Sequence, residues 1–352
     1  MCEKCQTRVI QAVNSDYGSF ETNVITRREL KADDVAIDIK YCGICHSDIH
    51  VVDNDFGSAN FPIVPGHEIT GVVSAIGSDV TKFKVGDRVG VGCFVDSCGV
   101  CEHCQNGDEQ FCTEGVVIVF NSKGYDGELT YGGYANDIVV KDHFVIGIPD
   151  TLELDVASPL LCAGVTTYNP MKQWNVGPGK KVGIIGMGGL GHLAVQFAHK
   201  MGAEVTVLGH SKGKNEEAKR FGADAYELTT DPETFNKLKG NFDFILNTVA
   251  VSLDVDAYIS LLKVNGAMVY VGLAGEPQTF HVGSLFGKQA ILTASNVGGI
   301  AITEEMIQFA ADNQVLPMIE TIQANPKAVQ EAYNRILASD VRYRFVIDME
   351  TL

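Results

Sequence analysis

The chain has 352 residues, 45% of them hydrophobic and 20% charged, a balance that suits a soluble globular protein with more than one core. Its formal net charge of −17 opposes binding to nucleic acid and to anionic membrane surfaces. No basic-then-apolar leader opens the sequence and no apolar run is long enough to span a bilayer, so a cytoplasmic protein is expected. In that reducing compartment, clusters among the ten cysteines read as metal ligands before disulfides.

The first third reads as β-rich. Val35–Tyr41, Ile69–Ile76 and Arg88–Phe94 are short β-branched runs punctuated by Pro62, Pro65, Gly66 and the turn at Lys84–Asp87. Many short strands between turns point to a barrel-like or sandwich domain. Three places here and beyond carry metal-binding residue types. Cys45-His46-Ser47-Asp48 with His50 follows a strand, Gly66-His67-Glu68 precedes one, and Cys162 ends the apolar stretch Ala157–Leu161. Two thiolates and one imidazole give zinc three ligands and leave a fourth position for substrate or water, as a catalytic zinc requires. Taken singly, Cys162 also reads as a small buried hydrophobe and His67 as a hydrogen-bonded structural residue.

Cys98, Cys101, Cys104 and Cys112 form C-x2-C-x2-C-x7-C. Four thiolates this close on a loop surround one tetrahedral Zn²⁺ with no open position, so the site reads as structural. Gly99, Gly107 and the turn between them could supply N–H groups to the sulfurs. An iron–sulfur cluster is the rival, with spacings that usually differ from this one, and disulfides are disfavoured by compartment.

After Cys162 the pattern changes. Strand Lys181–Ile185 leads through a glycine-rich turn into a helix at Leu190–Met201, then strand Val205–Leu208 and helix Asn215–Phe221. Strand Phe242–Thr248, helix Asp254–Leu262 and strand Ala267–Leu273 follow, so strands alternating with helices predict a parallel, doubly wound sheet. The turn reads Gly186-x-Gly188-x-x-Gly191, with Gly189 and Leu190 between the last two glycines. Gly186 allows the tight turn, Gly188 a close backbone approach to pyrophosphate, and Gly191 helix–strand packing, with the helix N-terminus attracting phosphate. An NAD site usually offers an acid about 20 residues beyond such a turn. Here the second strand runs into His210-Ser211-Lys212-Gly213-Lys214, with no acid and with groups suited to a 2′-phosphate, so NADP(H) is expected. The plain alternative is a solvated basic loop.

From about Ile291 the chain turns to helices at Thr303–Asn313 and Pro326–Leu337 and a closing strand at Tyr343–Ile347. Cys42 reads as strand packing, Cys93 as core, His103 and His192 as solvent or packing residues, and the pair Cys2-x2-Cys5 as weak evidence for a metal.

Together the dinucleotide turn, the four-cysteine segment and the divided Cys/His/Cys set resemble the zinc-dependent medium-chain alcohol dehydrogenases. Within them the resemblance is to the cinnamyl alcohol dehydrogenase branch, which includes broad NADPH-dependent aldehyde reductases. It runs nearly end to end through Cys42-Gly-Ile-Cys-His-Ser-Asp-Ile-His50, Pro65-Gly-His-Glu68, Gly132-Gly-Tyr-Ala135, Cys162-Ala-Gly-Val-Thr-Thr-Tyr168, Gly186-Met-Gly-Gly-Leu-Gly191 and Asp340-Val-Arg-Tyr-Arg-Phe345. The resemblance implies a β-rich GroES-like catalytic domain (1–158 and 294–352) around an inserted Rossmann domain (159–293). It implies Cys45, His67 and Cys162 as ligands of a catalytic zinc, with Glu68 near or transiently on the metal. Asp48 orients the ligands, Ser47 and His50 relay protons, and the four-cysteine set holds a second zinc. The nicotinamide end is expected near Thr166, Val271, Gly272, Ser295, Asn296 and Val297, and the 2′-phosphate near His210, Ser211, Lys212 and Lys214. Primary alcohols and aldehydes are the implied substrates and a homodimer pairing Rossmann sheets edge to edge the implied assembly. Two departures stand out. Ser47 replaces the more frequent threonine but keeps the hydroxyl, and Gly115–Phe120 lacks the tryptophan of plant lignin-pathway members, which favours a broad over a cinnamyl-specific pocket. The rival readings are an NAD-dependent polyol or secondary-alcohol dehydrogenase and a non-catalytic nucleotide- and zinc-binding protein.

Overall fold

The computed structural model describes residues 6–16 and 18–352; the Cys2–Cys5 pair lies outside them. The chain forms two compact units. One holds the chain up to Cys162 together with Gly298–Asp312 and Leu316–Leu352, and the other holds Ala163–Val297 with Asn313–Val315.

The first unit is built on a mostly antiparallel sheet in the order Ile319–Gln323, Arg344–Asp348, Asp34–Ile44, Ile69–Ile76, Arg88–Val91 and Ile146–Gly147, with Asp137–Lys141 also pairing Asp34–Ile44. Its register positions the chemistry. Ile44 faces Phe345 and Cys42 faces Ile69, so Cys45, His67–Glu68 and Arg344 all emerge at the same margin of the sheet. The expected strand Arg88–Phe94 is two strands, Arg88–Val91 and Phe94–Asp96. The break falls at Gly92-Cys93, where a Cβ on Gly92 would lie 2.9 Å from the Leu161 carbonyl, so the chain runs directly against the Cys162 segment. The tail belongs to this unit. Helix Ile300–Asn313 begins three residues before its expected start, and helix Pro326–Leu337 is capped by Asn325, whose Oδ1 accepts from the Ala328 N–H at 2.9 Å. Such a cap contributes about 1 kcal/mol.

The second unit is a six-stranded parallel sheet in the order Ala225–Leu228, Glu204–Gly209, Lys181–Ile185, Phe242–Asn247, Leu262–Tyr270, Ile291–Ala294. Two βαβ halves run outward from the adjacent central strands Lys181–Ile185 and Phe242–Asn247, the doubly wound arrangement in which ligands bind beyond the carboxyl ends of the strands. Strand Leu262–Tyr270 starts earlier and ends three residues sooner than Ala267–Leu273 had suggested. Fully buried Phe197, Phe242 and Phe244 fill the core of this unit. Helix Ala163–Gln173 carries Gly164 and Pro170 inside it and has no polar stripe, which hid it from a periodicity reading.

Candidate active site

The helix His46–Val52 starts directly after the strand Asp34–Ile44, and its first turn builds the site. Asp48 is fully buried and bonds three ways. Its Oδ2 accepts from the Cys45 N–H at 2.9 Å, and its Oδ1 accepts from the Gly66 N–H at 3.1 Å and pairs with His67 Nδ1 at 2.8 Å. The last bond turns the other imidazole nitrogen, Nε2, toward the thiols, an arrangement typical of metal-binding histidines. Gly66 sits at φ +103°, and a Cβ there would lie 2.7 Å from both Cys42 Sγ and Tyr134, so only glycine lets His67 enter at this angle. Cys42 is buried strand packing, as expected.

Cys45, His67, Glu68 and Cys162 bring ligand atoms within 4.8 Å of one another. The Cys45 and Cys162 sulfurs are 4.0 Å apart, and His67 Nε2 is 3.2 Å from the Cys162 sulfur. Ligands around a tetrahedral zinc with bonds of 2.0–2.3 Å stand about 3.5–3.8 Å apart, so the donor set fits that ion. The sulfurs also compete for protons. Hydrogen bonding from Cys162 holds the Cys45 thiol well below its usual range despite burial, while Cys45 and Cys93 push Cys162 up. Cys93 is therefore not the core residue expected from sequence. The strand break leaves it half-buried, against the Leu161–Cys162 segment.

Glu68 faces this cluster but turns its Oε1 to Arg344, which is itself buried. Glu68 Oε2 has no partner and occupies space that exists only because residue 43 is glycine; a Cβ there would fall 2.0 Å from it. Burial pushes the Glu68 carboxyl up to about 8 against the pull of Arg344. Nothing in the local sequence around Arg344 marks this role, because its partner Glu68 lies 276 residues away.

Ser47 is exposed, with its Oγ 3.7 Å from the Cys45 sulfur. His50, one turn on, pairs through Nδ1 with Asp55 Oδ2 at 2.6 Å. Sequence reasoning missed Asp55. The signal was Asn54, which takes the left-handed conformation at φ 58° after the helix end and folds the chain back so that the Asp55 N–H meets the His50 carbonyl at 3.0 Å.

The four-cysteine segment closes on itself. All four sulfurs lie within 4.8 Å of one another, with Cys98–Cys104 at 3.9 Å and Cys101–Cys104 at 3.5 Å, too long for disulfides and suited to one tetrahedral ion. N–H groups of Cys98 and Cys101 reach the sulfurs of Cys112 and Cys98 at 3.4 Å. Gly107 instead spends its N–H on the Cys104 carbonyl.

In the second unit the expected cofactor residues gather beyond the carboxyl ends of the strands. Gly186 sits at φ +86°, and Gly191 packs so closely that a Cβ would fall 2.4 Å from the Gly186 carbonyl. Gly188 faces open space. His192, in the helix that follows, is buried with Nδ1 3.0 Å from the Gly188 carbonyl, a packing role. His210, Ser211 and Lys212 are exposed after strand Glu204–Gly209, while Lys214 reaches back to the Met187 carbonyl at 2.7 Å, tying this basic loop to the glycine turn. Thr166 is buried in helix Ala163–Gln173. Val271 and Gly272 donate to the Asn247 carbonyl at 3.0 and 3.1 Å. Ser295 donates to the Tyr270 carbonyl at 3.0 Å, Asn296 is exposed, and Val297 takes φ 45° with its carbonyl held by Asn169 at 2.8 Å.

A GroES-like sheet carrying a Cys/His/Cys set, joined in one chain to a Rossmann sheet with a phosphate turn, defines a zinc-dependent nicotinamide oxidoreductase. Family models agree. Residues 31–150 match the alcohol dehydrogenase GroES-like domain and residues 189–312 the zinc-binding dehydrogenase domain. A probable formaldehyde dehydrogenase of Bacillus subtilis is 60% identical over 352 residues, covering 100% of both chains. NADP-dependent alcohol dehydrogenase C 1 of Mycolicibacterium smegmatis is 56% identical over 93% of this chain and 94% of its own. Among solved structures, a cinnamyl alcohol dehydrogenase from Sorghum bicolor superposes with a TM-score of 0.94 at 40% identity, covering 98% of each chain. That of Helicobacter pylori complexed with NADP(H) gives 0.91 at 37%, covering 99% of each. The chain belongs to the zinc-dependent medium-chain alcohol dehydrogenases, in their cinnamyl alcohol dehydrogenase branch.

Proposed function

We propose that this chain is an NADP(H)-dependent zinc alcohol dehydrogenase that works mainly as a reductase of aliphatic and aromatic aldehydes. The observation that carries the reading is the convergence of Cys45, His67 and Cys162, with His67 oriented by buried Asp48. These three hold a catalytic zinc, and Cys98, Cys101, Cys104 and Cys112 hold a structural one. When bound, zinc supplies a Lewis acid for the substrate oxygen and NADPH supplies the hydride.

The chain's own residues do the rest. Asp48 fixes the imidazole tautomer and so the direction of the His67 lone pair. In reduction Ser47 gives its proton to the substrate oxygen and is resupplied from the side of His50, whose imidazole Asp55 orients. Arg344 holds the Glu68 carboxyl in place beside the ligand set. Gly186–Gly191 gives phosphate a backbone cradle at a helix N-terminus. His210, Ser211, Lys212 and Lys214 select the 2′-phosphate, and Thr166, Val271, Gly272 and Ser295–Val297 receive the nicotinamide end. No acid follows strand Glu204–Gly209 to favour NAD.

The second unit also favours a homodimer. Strand Ile291–Ala294 is an edge with Ile291 exposed, and Leu273, Val282 and Phe286 nearby in sequence are 65, 60 and 78% exposed. An unprotected apolar edge of this kind suits pairing with a second copy. Sedimentation at micromolar concentration should give twice the chain mass. Among the described residues no helix is long and apolar enough to cross a membrane. A cytoplasmic location is proposed because both metal centres need reduced cysteines.

The test follows NADPH oxidation by zinc-replete protein across aliphatic, benzylic and cinnamyl aldehydes, with NADH in parallel. Reduction of several aldehydes with NADPH preferred is the expected result. Activity with NADH alone would overturn the reading of His210–Lys214. Cys45→Ser should abolish turnover while one zinc per chain remains; full activity in that variant would refute the ligand assignment.

A further inference from the structure

Glu109 lies between the third and fourth cysteines of the structural set and takes no part in metal binding, yet its side chain is only 1% exposed. A buried carboxylate needs partners, and this one has two from distant parts of the chain. Its Oε1 meets His143 Nε2 at 2.7 Å, and its Oε2 accepts from the Ile300 N–H at 2.9 Å. Ile300 opens the 14-residue helix Ile300–Asn313, so the carboxylate binds a free N–H at a positive helix end. Burial works against the charge, but the bonds from His143 and Ile300 hold the carboxyl below its usual value. The backbone of Glu109 is tied to the metal set as well, for its carbonyl accepts the Cys112 N–H at 3.0 Å.

The contact has no slack. A Cβ on Gly299 would fall 1.8 Å from the Gly107 carbonyl and 2.5 Å from Glu109 Oε2. The helix start is thus pressed against the four-cysteine loop as well as bonded to it. Upstream, Ser295, Asn296 and Val297 lie three to five residues before Ile300, and Val297 is held in a left-handed conformation disfavoured for a β-branched residue. A short segment fixed at Ile300 has little freedom at Val297.

We propose that Glu109 is a positioning residue for the cofactor. It anchors the segment Ser295–Ile300 to the four-cysteine loop, so the structural zinc site supports nicotinamide binding as well as the fold. This rests on the reading that Ser295–Val297 receives the nicotinamide end.

The experiment compares two ligands on zinc-replete wild type, Glu109→Ala and Glu109→Gln by fluorescence titration, with zinc content and thermal unfolding measured on each. NADPH carries the nicotinamide; 2′-phospho-ADP-ribose lacks it. Glu109→Ala should bind NADPH about tenfold more weakly and 2′-phospho-ADP-ribose within about twofold of wild type, while keeping two zinc ions per chain. Glu109→Gln retains an acceptor for the Ile300 N–H and should recover most of the loss, to within about threefold. Equal weakening of both ligands, or none, overturns the proposal, since a merely structural defect does not distinguish them. If the alanine variant does not fold, Glu109→Leu, which keeps the side-chain bulk and removes both acceptors, decides: a selective loss of NADPH affinity supports the proposal, and wild-type affinity for both ligands refutes it. Wild type that fails to bind NADPH would instead sink the proposed function.

Discussion

Replacing Gly188 by alanine separates binding from folding in the phosphate turn. A Cβ at Gly188 would meet no atom within 4 Å, and this glycine is not at positive φ. Alanine therefore fits the folded chain and restricts the unfolded one, a change that stabilises by about 0.4–1 kcal/mol. For a unit of this size that is a rise in Tm of about 1–4 °C. The same methyl group stands where a pyrophosphate must approach the backbone, so the Kd for NADPH should rise about 10- to 100-fold, or about 1.4–2.7 kcal/mol. Gly191→Ala is the counterpart. Its Cβ would lie 2.4 Å from the Gly186 carbonyl, and such overpacking costs about 1–3 kcal/mol, a fall of about 2–12 °C. The assay is thermal unfolding beside fluorescence titration with NADPH at one fixed salt concentration, since phosphate contacts are screened. A folded Gly188→Ala protein that binds NADPH within twofold of wild type would show that the pyrophosphate does not lie over this turn.

Three further outcomes follow from the geometry. Asp55→Asn should slow kcat about two- to fivefold, the range for an exposed pair, and should make no further difference in a His50→Gln background; an equal cost there would mean that Asp55 does not act through His50. Arg344→Met leaves buried Glu68 unpaired and should cost about 3–5 kcal/mol by thermal unfolding, part of it recovered by adding Glu68→Gln; a loss below about 1 kcal/mol would contradict the burial of this pair. His143→Ala probes the Glu109 contact through pH. Glu109 raises the His143 pKa above 6.5, so that group's contribution is full below 6.5 and falls as pH rises through the raised value. The Glu109 carboxyl is lowered below 4.5, so its contribution is full above 4.5 and falls only in stronger acid. The Tm gap between wild type and His143→Ala should therefore be widest near pH 6 and narrow toward pH 9, and a constant gap would remove the charge from the argument.

Much of the plan was legible because local chemistry and local pattern agree. Strand Lys181–Ile185 and its turn announce themselves within a dozen residues, as do the four cysteines between Cys98 and Cys112. Helix Pro326–Leu337 matches its apolar spacing to the residue. The short strands Ala225–Leu228, Ile291–Ala294 and Ile319–Gln323 were not anticipated, for they carry no alternation and lie at sheet edges where one neighbour suffices. The supporting residues were harder still. Asp55 and Glu109 sit in polar stretches and Arg344 in the closing strand expected at Tyr343–Ile347, and what makes Glu109 and Arg344 matter is a partner 191 or 276 residues away. Spacing names candidate ligands; only the sheet register explains why Cys45, His67 and Arg344 face one another.

That register also sets an order of events during synthesis. Strand Asp34–Ile44 waits for its neighbour Arg344–Asp348 until 300 more residues have been made, about 15–60 s at ordinary rates of translation. The parallel sheet of the second unit is complete in sequence by Ala294 and is free to form while the first sheet still lacks an edge. The thiols of Cys45 and Cys162 thus leave the ribosome well before the arginine that holds Glu68 beside them. A nascent chain stalled before Arg344 would expose a half-built metal centre, which makes the final assembly step the point where oxidants and competing metal ions have their opening.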